Sequence, residues 1–323
     1  MKELKIFGIV VVFTLVLYWG VEPFAHSQMH KHVEGHGLVY DGKADIEEAS
    51  KDRKEAKKAF WADVKKIAAL KGDAKAGEAT YMMCAGCHMK GAANMGGVTP
   101  PSLDHAGAIY DKNFLIALIK DPAIATNVDH KYPKGGTMAH PMGSVSTMVT
   151  TPQDIANVVA YLQAKKAGEV TPKEAFVEAC GRCHADRYGK LTQLGEIPKT
   201  KANIKTGQDI EAMKYQQKVA TEQAALADYL GKLPPDLSII IRARSEHFLH
   251  TFIENPQSQL PGTAMPRTGL NKEGMEKVFA YLEETGDPSK PLREETGPKV
   301  LLFFVIFTAL AFLWKKSMWK GHH

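Results

Sequence analysis

The sequence predicts an all-α protein: two tandem helical units between N- and C-terminal transmembrane helices. Three observations lead there. A helical unit occurs twice, each copy built around a Cys-x-x-Cys-His pentad, CAGCH at 84–88 and CGRCH at 180–184. Neither copy shows the sustained two-residue alternation of a half-buried strand. Both ends of the chain are apolar and the middle is not.

The N-terminal segment KIFGIVVVFTLVLYWGV (5–21) carries no charge after its first residue, and KVLLFFVIFTALAFLWKK (299–316) carries none between its flanking lysines. Each offers about 15–17 apolar residues, the short end of what spans a bilayer. Trp19 and Trp314 sit at segment edges, where amphipathic rings favour the interface. Lys2 and Lys5 precede the first segment, and Lys315, Lys316 and Lys320 follow the second. The positive-inside rule places both termini in the cytoplasm and the middle outside. The following EPFAHSQ has no clean small-x-small cleavage site, so the first segment is expected to remain as an anchor.

The expected layout is an anchor or uncleaved signal over 1–21, a linker and amphipathic helix over 22–72, units over 73–167 and 168–288, an anchor over 298–316 and a cytoplasmic tail over 317–323. Residues 22–45 read as an irregular, solvated linker; His26, His30, His32 and His36 within it need no metal. Residues 46–71 are rich in helix formers, with Ala56, Ala59, Phe60, Val64 and Ile67 at helical spacing. Unit one begins DAKAGEATYMMCAGCH (73–88), continues FLIALIKDP (114–122) and closes TPQDIANVVAYL (151–162). Unit two begins TPKEAFVEACGRCH (171–184), continues FLHTFIENP (248–256) and closes NKEGMEKVFAYL (271–282). Pro122 and Pro256 stop the middle helices. Thr151-Pro152 and Thr171-Pro172 are start signals, a capping hydroxyl followed by proline at the first helical position.

The chain has 323 residues and four cysteines, all in the pentads. Cys-x-x-Cys-His is the attachment signature of c-type haem. The thiols add to the haem vinyl groups and the histidine becomes the proximal iron ligand. The expected cofactors are therefore two covalent haem c groups, on Cys84, Cys87 and His88 and on Cys180, Cys183 and His184. A redox dithiol would not need the histidine, and a structural zinc site would need a second ligand pair nearby. A net charge of +5 without a lysine–arginine run excludes nucleic acid as a partner. Glycine pairs at 96–97 and 135–136 read as turns, so no phosphate loop is present.

A methionine on the far side of the iron raises its potential and leaves no open site. GTAMPRTGL (262–270) offers Met265 just ahead of the last helix of unit two. In unit one, TMAHPMGSVSTMV (137–149) offers Met138, Met142 and Met148, with His140 as a dissenting candidate. Met142 is preferred: it follows Pro141 and precedes Tyr161 by 19 residues, against 16 from Met265 to Tyr281.

Pentad helix, methionine loop and AYL helix together resemble class I cytochrome c domains. A narrower match lies in unit two. LPPDLSIIIRAR (233–244) and the tail GDPSKPLREETGPKVLLFFVIFTALAFLWKKSMWK (286–320) resemble cytochrome c1, the haem subunit of quinol–cytochrome c oxidoreductase (cytochrome bc1). Two pentads resemble its two-haem bacterial variant, in which fused domains replace a separate soluble carrier. The resemblance implies a non-catalytic subunit that relays single electrons. Its partners would be cytochrome b, a Rieske iron–sulfur protein and a downstream cytochrome c or terminal oxidase, with membrane lipid around the anchors. It further implies that Arg244, or Arg242 as runner-up, pairs with a haem propionate. Two rival readings keep the haems: a subunit of a cbb3-type oxidase, and a dihaem peroxidase or sulfur-compound dehydrogenase.

Overall fold

A computed structural model describes residues 2–30, 37–89, 98–132, 140–165, 169–202, 207 and 209–320. Met138, His32, His36 and both glycine pairs lie outside the described residues. The first helix runs Lys2–Val16, widens into a π turn at Leu17–Val21 and continues as Glu22–His30. In that turn the Glu22 N–H reaches back to the Leu17 carbonyl. The extra residue accommodates Pro23, which has no N–H and whose ring crowds the preceding turn. The region read as irregular linker is thus helical over Glu22–His30 and again over Lys43–Glu47.

The amphipathic helix runs Lys51–Ala68, but its buried face is shifted from the expected one. Lys57, Phe60, Trp61, Val64 and Ile67 face inward, while Ala56 and Ala59 are exposed. Two positions differ because a large indole buries more apolar surface than a methyl group, and the Lys57 amine finds Asn127 Oδ1 at 3.2 Å. This helix packs on Lys112–Lys120 and enters one core with the helices Ala74–His88 and Pro152–Ala164.

A second core gathers Val170, Phe176, Leu249, Met275, Val278 and Tyr281, and takes in Ile109 from unit one. The units also share backbone hydrogen bonds. Asp111 N donates to Gly269 O at 2.9 Å and Asn271 N to Ile109 O at 2.9 Å. The seam is therefore built like an interior rather than a loose inter-domain contact.

Unit two carries two elements the sequence reading did not locate. One is a hairpin of Leu191–Thr192 against Gly195–Glu196, the one sheet among the described residues. The other is a 21-residue helix, Ile210–Leu230, capped by Asp209 and ended by Gly231 at φ 79°. It bridges both units: Thr99 Oγ1 donates to Glu222 at 3.1 Å, and Lys131 Nζ donates to Tyr229 O at 2.7 Å.

The last helix, Lys290–Met318, is longer than the expected anchor and contains Pro298. Glu3–Ala25 and Lys290–Met318 are both long and apolar enough to cross a membrane, and neither is buried in the protein. Lys315 meets Glu3 at 2.9 Å, so the first helix begins where the last one ends.

Candidate haem-attachment sites

In unit one, Asp73 starts the pentad helix by accepting from Lys75 N (2.8 Å) and Ala76 N (3.3 Å). Gly77 lets it cross the closing helix at close range against the Asn157 carbonyl. Above that crossing the Tyr81 and Tyr161 rings meet with centroids 4.9 Å apart. The helix runs through to His88, so Cys84, Cys87 and His88 project from its last turn.

Unit two arrives at the same constellation by a different backbone. A complete capping box of Thr171 and Glu174 starts Pro172–Phe176, and a π turn then occupies Val177–Gly181. The Phe176 and Tyr281 rings meet at 4.5 Å, the counterpart of Tyr81 and Tyr161. Phe176 lies four residues before its first cysteine and Tyr81 three. The π turn absorbs that one-residue difference, so ring and pentad keep their relation. His184 N bonds Cys180 O at 2.9 Å, closing one helical turn around the pentad.

Both histidines are held identically. His88 Nδ1 lies 2.8 Å from Pro101 O, and His184 Nδ1 lies 2.8 Å from Pro235 O. A carbonyl only accepts, so each Nδ1 carries the proton and each Nε2 keeps its lone pair for a metal. Burial pushes both imidazoles below the usual histidine range, and the Arg182 charge adds to this at His88. Neutral imidazole is the ligating form.

Pro235 belongs to the LPPDLS segment, which is stitched to the chain just past the second pentad. Leu237 N donates to Ala185 O at 2.9 Å, Arg187 Nε to Asp236 at 3.1 Å, and Tyr188 N to the Ser238 hydroxyl at 3.1 Å. Pro-Pro recurs at Pro100–Pro101 in unit one. Sequence reasoning missed these carbonyl partners, although the repeated Pro-Pro dipeptide was a usable signal.

Burial raises the thiols of Cys84 and Cys183 and pushes Cys180 up to about 12. A reactive dithiol needs a lowered thiol, and Cys84, Cys180 and Cys183 are shifted the other way. Paired thiols one turn from a tautomer-fixed imidazole do fit covalent haem with a proximal nitrogen. Haem c, when bound, supplies an iron that exchanges one electron at a time.

The backbone entering the second pentad lies against unit one. His105 Nδ1 lies 3.2 Å from Glu178 Oε2, two residues ahead of Cys180, and Tyr110 OH donates to the Glu178 carbonyl at 3.4 Å. Burial is the main cause of the lowered His88 and His140 of unit one, and the charge of Arg182, between the second pair of cysteines, adds to it at both.

Of the far-side candidates, Met265 and Met142 are partly buried in loops, while Met148 is 53% exposed. His140 Nδ1 accepts from Met142 N at 3.1 Å. That leaves its proton on Nε2 and no lone pair for iron. Burial holds His140 at about 4, neutral at physiological pH. Arg244 is exposed, with its guanidinium 5.3 Å over the Phe248 ring. Arg242 lies near enough for its charge to lower Asp287, after the larger effect of the Arg293 hydrogen bond.

Fold and site define a mostly helical protein with a haem-binding electron-transfer domain. Residues 74–166 match the Cytochrome c family, so the chain carries a cytochrome c domain, with covalent haem c and electron transfer as its business. The chain is also 25% identical over 234 residues to the "Ammonia monooxygenase gamma subunit" of Nitrosomonas europaea, spanning 58% of this chain and 93% of that one. A solved chain titled "Hyperthermophilic respiratory Complex III" is 27% identical at a TM-score of 0.35, covering 46% of this chain and 74% of that one.

Proposed function

We propose that this chain is a membrane-anchored dihaem cytochrome c that relays single electrons as the cytochrome c1-type subunit of a quinol–cytochrome c oxidoreductase. The observation that carries the two-haem reading is the matched pair of histidine–proline carbonyl bonds, one behind each pentad. A lone redox domain beside a decoy pentad would have no use for the second bond. The c1 reading is supported by the LPPDLS segment, which supplies the carbonyl behind His184. The proposed units are 73–167 and 168–288, each a class I cytochrome c domain.

In this reading His88 and His184 would hold the irons through Nε2, and Met142 and Met265 would be their second protein ligands. The cysteines prevent loss of the cofactor. Arg182 and the Glu178–His105 contact set the electrostatics between the sites, and Arg244 meets a propionate. Electrons arrive from a Rieske iron–sulfur protein beside cytochrome b and leave to a cytochrome c or terminal oxidase. The haem units lie on the periplasmic side with both termini in the cytoplasm. The Glu3–Lys315 ion pair supports both ends lying on one side.

The test is reduced pyridine haemochrome of the purified chain. Two haems are expected in the parent, and one each in the Cys84→Ala/Cys87→Ala and Cys180→Ala/Cys183→Ala variants. One haem in the parent refutes the relay. Copurification with a cytochrome b and an iron–sulfur protein supports the c1 assignment. Copurification with a haem–copper oxidase core or a membrane monooxygenase instead would replace it.

A further inference from the structure

We infer that the buried Asp45–Arg267 ion pair positions Met265, so that the segment leading out of the N-terminal anchor governs the iron environment of the second site. This rests on the reading of Met265 as the far-side ligand of that iron.

The side chains of Arg267 and Asp45 are 5% and 1% exposed. The guanidinium grips the carboxylate with two prongs, Nη1 to Oδ2 at 3.1 Å and Nη2 to Oδ1 at 2.5 Å. Trp61 Nε1 donates to the same carboxylate at 3.0 Å, and Arg267 lies 6.0 Å over the Tyr40 ring. Every side-chain partner named here belongs to residues 40–61, far from unit two in sequence.

A buried ion pair is weak evidence for stability, because well-packed apolar residues often do as well. Its better-attested use is to fix one register, and here the register is that of the methionine loop. Arg267 follows Met265 by two residues, with Pro266 between. Proline locks its own φ, so the orientation imposed at Arg267 passes to Met265 with little slack. The stretch beyond is fastened outside unit two as well. Arg267 N donates to Thr126 O at 2.9 Å, and Tyr40 OH to Leu270 O at 3.1 Å. Gly269, at φ 74°, leaves no room for a side chain against the Phe114 ring. Within unit two, Gln257 Nε2 donates to Thr263 O at 2.6 Å on the leading flank, and Thr268 Oγ1 donates to Ile253 O at 3.3 Å on the trailing one. At Arg267 itself, next but one to Met265, the side chain and the backbone N–H are both held from outside unit two, by Asp45 and by Thr126 O.

The experiment is a redox titration of the solubilised full-length holoprotein, with ferrous–carbon monoxide spectra, on the parent, Met265→Leu, Asp45→Asn and Arg267→Lys. Met265→Leu identifies the affected haem, by a lowered potential and new carbon monoxide binding. Asp45→Asn and Arg267→Lys are expected to lower the potential of that same haem and admit carbon monoxide to part of it, leaving the other haem unmoved. If Asp45→Asn fails to accumulate with two haems, Arg267→Lys, which keeps the charge and loses the fork, decides. Parent-like potentials and spectra in the accumulating variants, with Met265→Leu shifted, overturn the positioning role and leave the ligand reading intact. An unshifted Met265→Leu overturns both.

Discussion

Replacing Gly77 by alanine should destabilise unit one, against the usual sign of that substitution. In an ordinary helix interior, glycine to alanine gains about 0.5–1 kcal/mol. Here a methyl group would stand 2.0 Å from the Asn157 carbonyl oxygen and 2.5 Å from its carbon, where ordinary contact begins at 3.4 Å. The obstacle is the backbone of Pro152–Ala164, which cannot rotate away as a side chain would. The two helices must part by about 1.4 Å along that direction, in a core with no slack to absorb it. Overpacking of this kind costs about 1–3 kcal/mol and sometimes more. The propensity gain is smaller than that, so a net loss of about 1–2 kcal/mol is expected. The assay is the guanidinium midpoint of the solubilised holoprotein, followed at the haem absorbance, with haem content measured alongside because this crossing carries the first pentad. A midpoint equal to or above the parent's would refute the close crossing.

Burial pushes Glu178 up to about 8 from 4.5. The folded state then keeps a proton that the unfolded state releases, so stability should fall as pH rises from about 4.5 to about 8. Glu178→Gln should flatten that part of the profile and leave the variant more stable than the parent above it, as read from unfolding midpoints across the window; an unchanged slope would refute the assignment. Gly269→Ala meets both a positive φ and the Phe114 ring, and should lower the thermal midpoint and disturb only the haem that Met265→Leu identifies. Intact mass spectrometry of the denatured protein should show two haems remaining on the polypeptide, and the loss of one from the Cys180→Ala/Cys183→Ala variant; an unchanged haem mass in that variant would refute the second attachment site.

Chemistry bound to contiguous residues was legible in the sequence. The pentads need no tertiary information, because the spacing of two thiols and an imidazole on one turn is itself the signal. The same holds for helix starts: Thr151 and Thr171 cap where their sequences said they would. The helix Ile210–Leu230 could have been read too, since Asp209 and Gly231 mark its ends. The π turn ahead of Cys180 could not. Val177–Gly181 looks like ordinary helix until the Phe176–Tyr281 contact demands an extra residue.

By itself, then, the chain's order of residues determined the apolar ends, the repeated helices and the atoms offered to a haem, because each depends on neighbours within a few turns. The tertiary structure alone decided which carbonyl orients each histidine, which unit-two charge acts on His88 and what holds Arg267 beside Met265. Asp45 and Arg267 are 222 residues apart, and Pro235 lies 51 residues beyond His184. Burial brought such partners together, since a buried charge or imidazole must find a complement wherever the packed chain provides one.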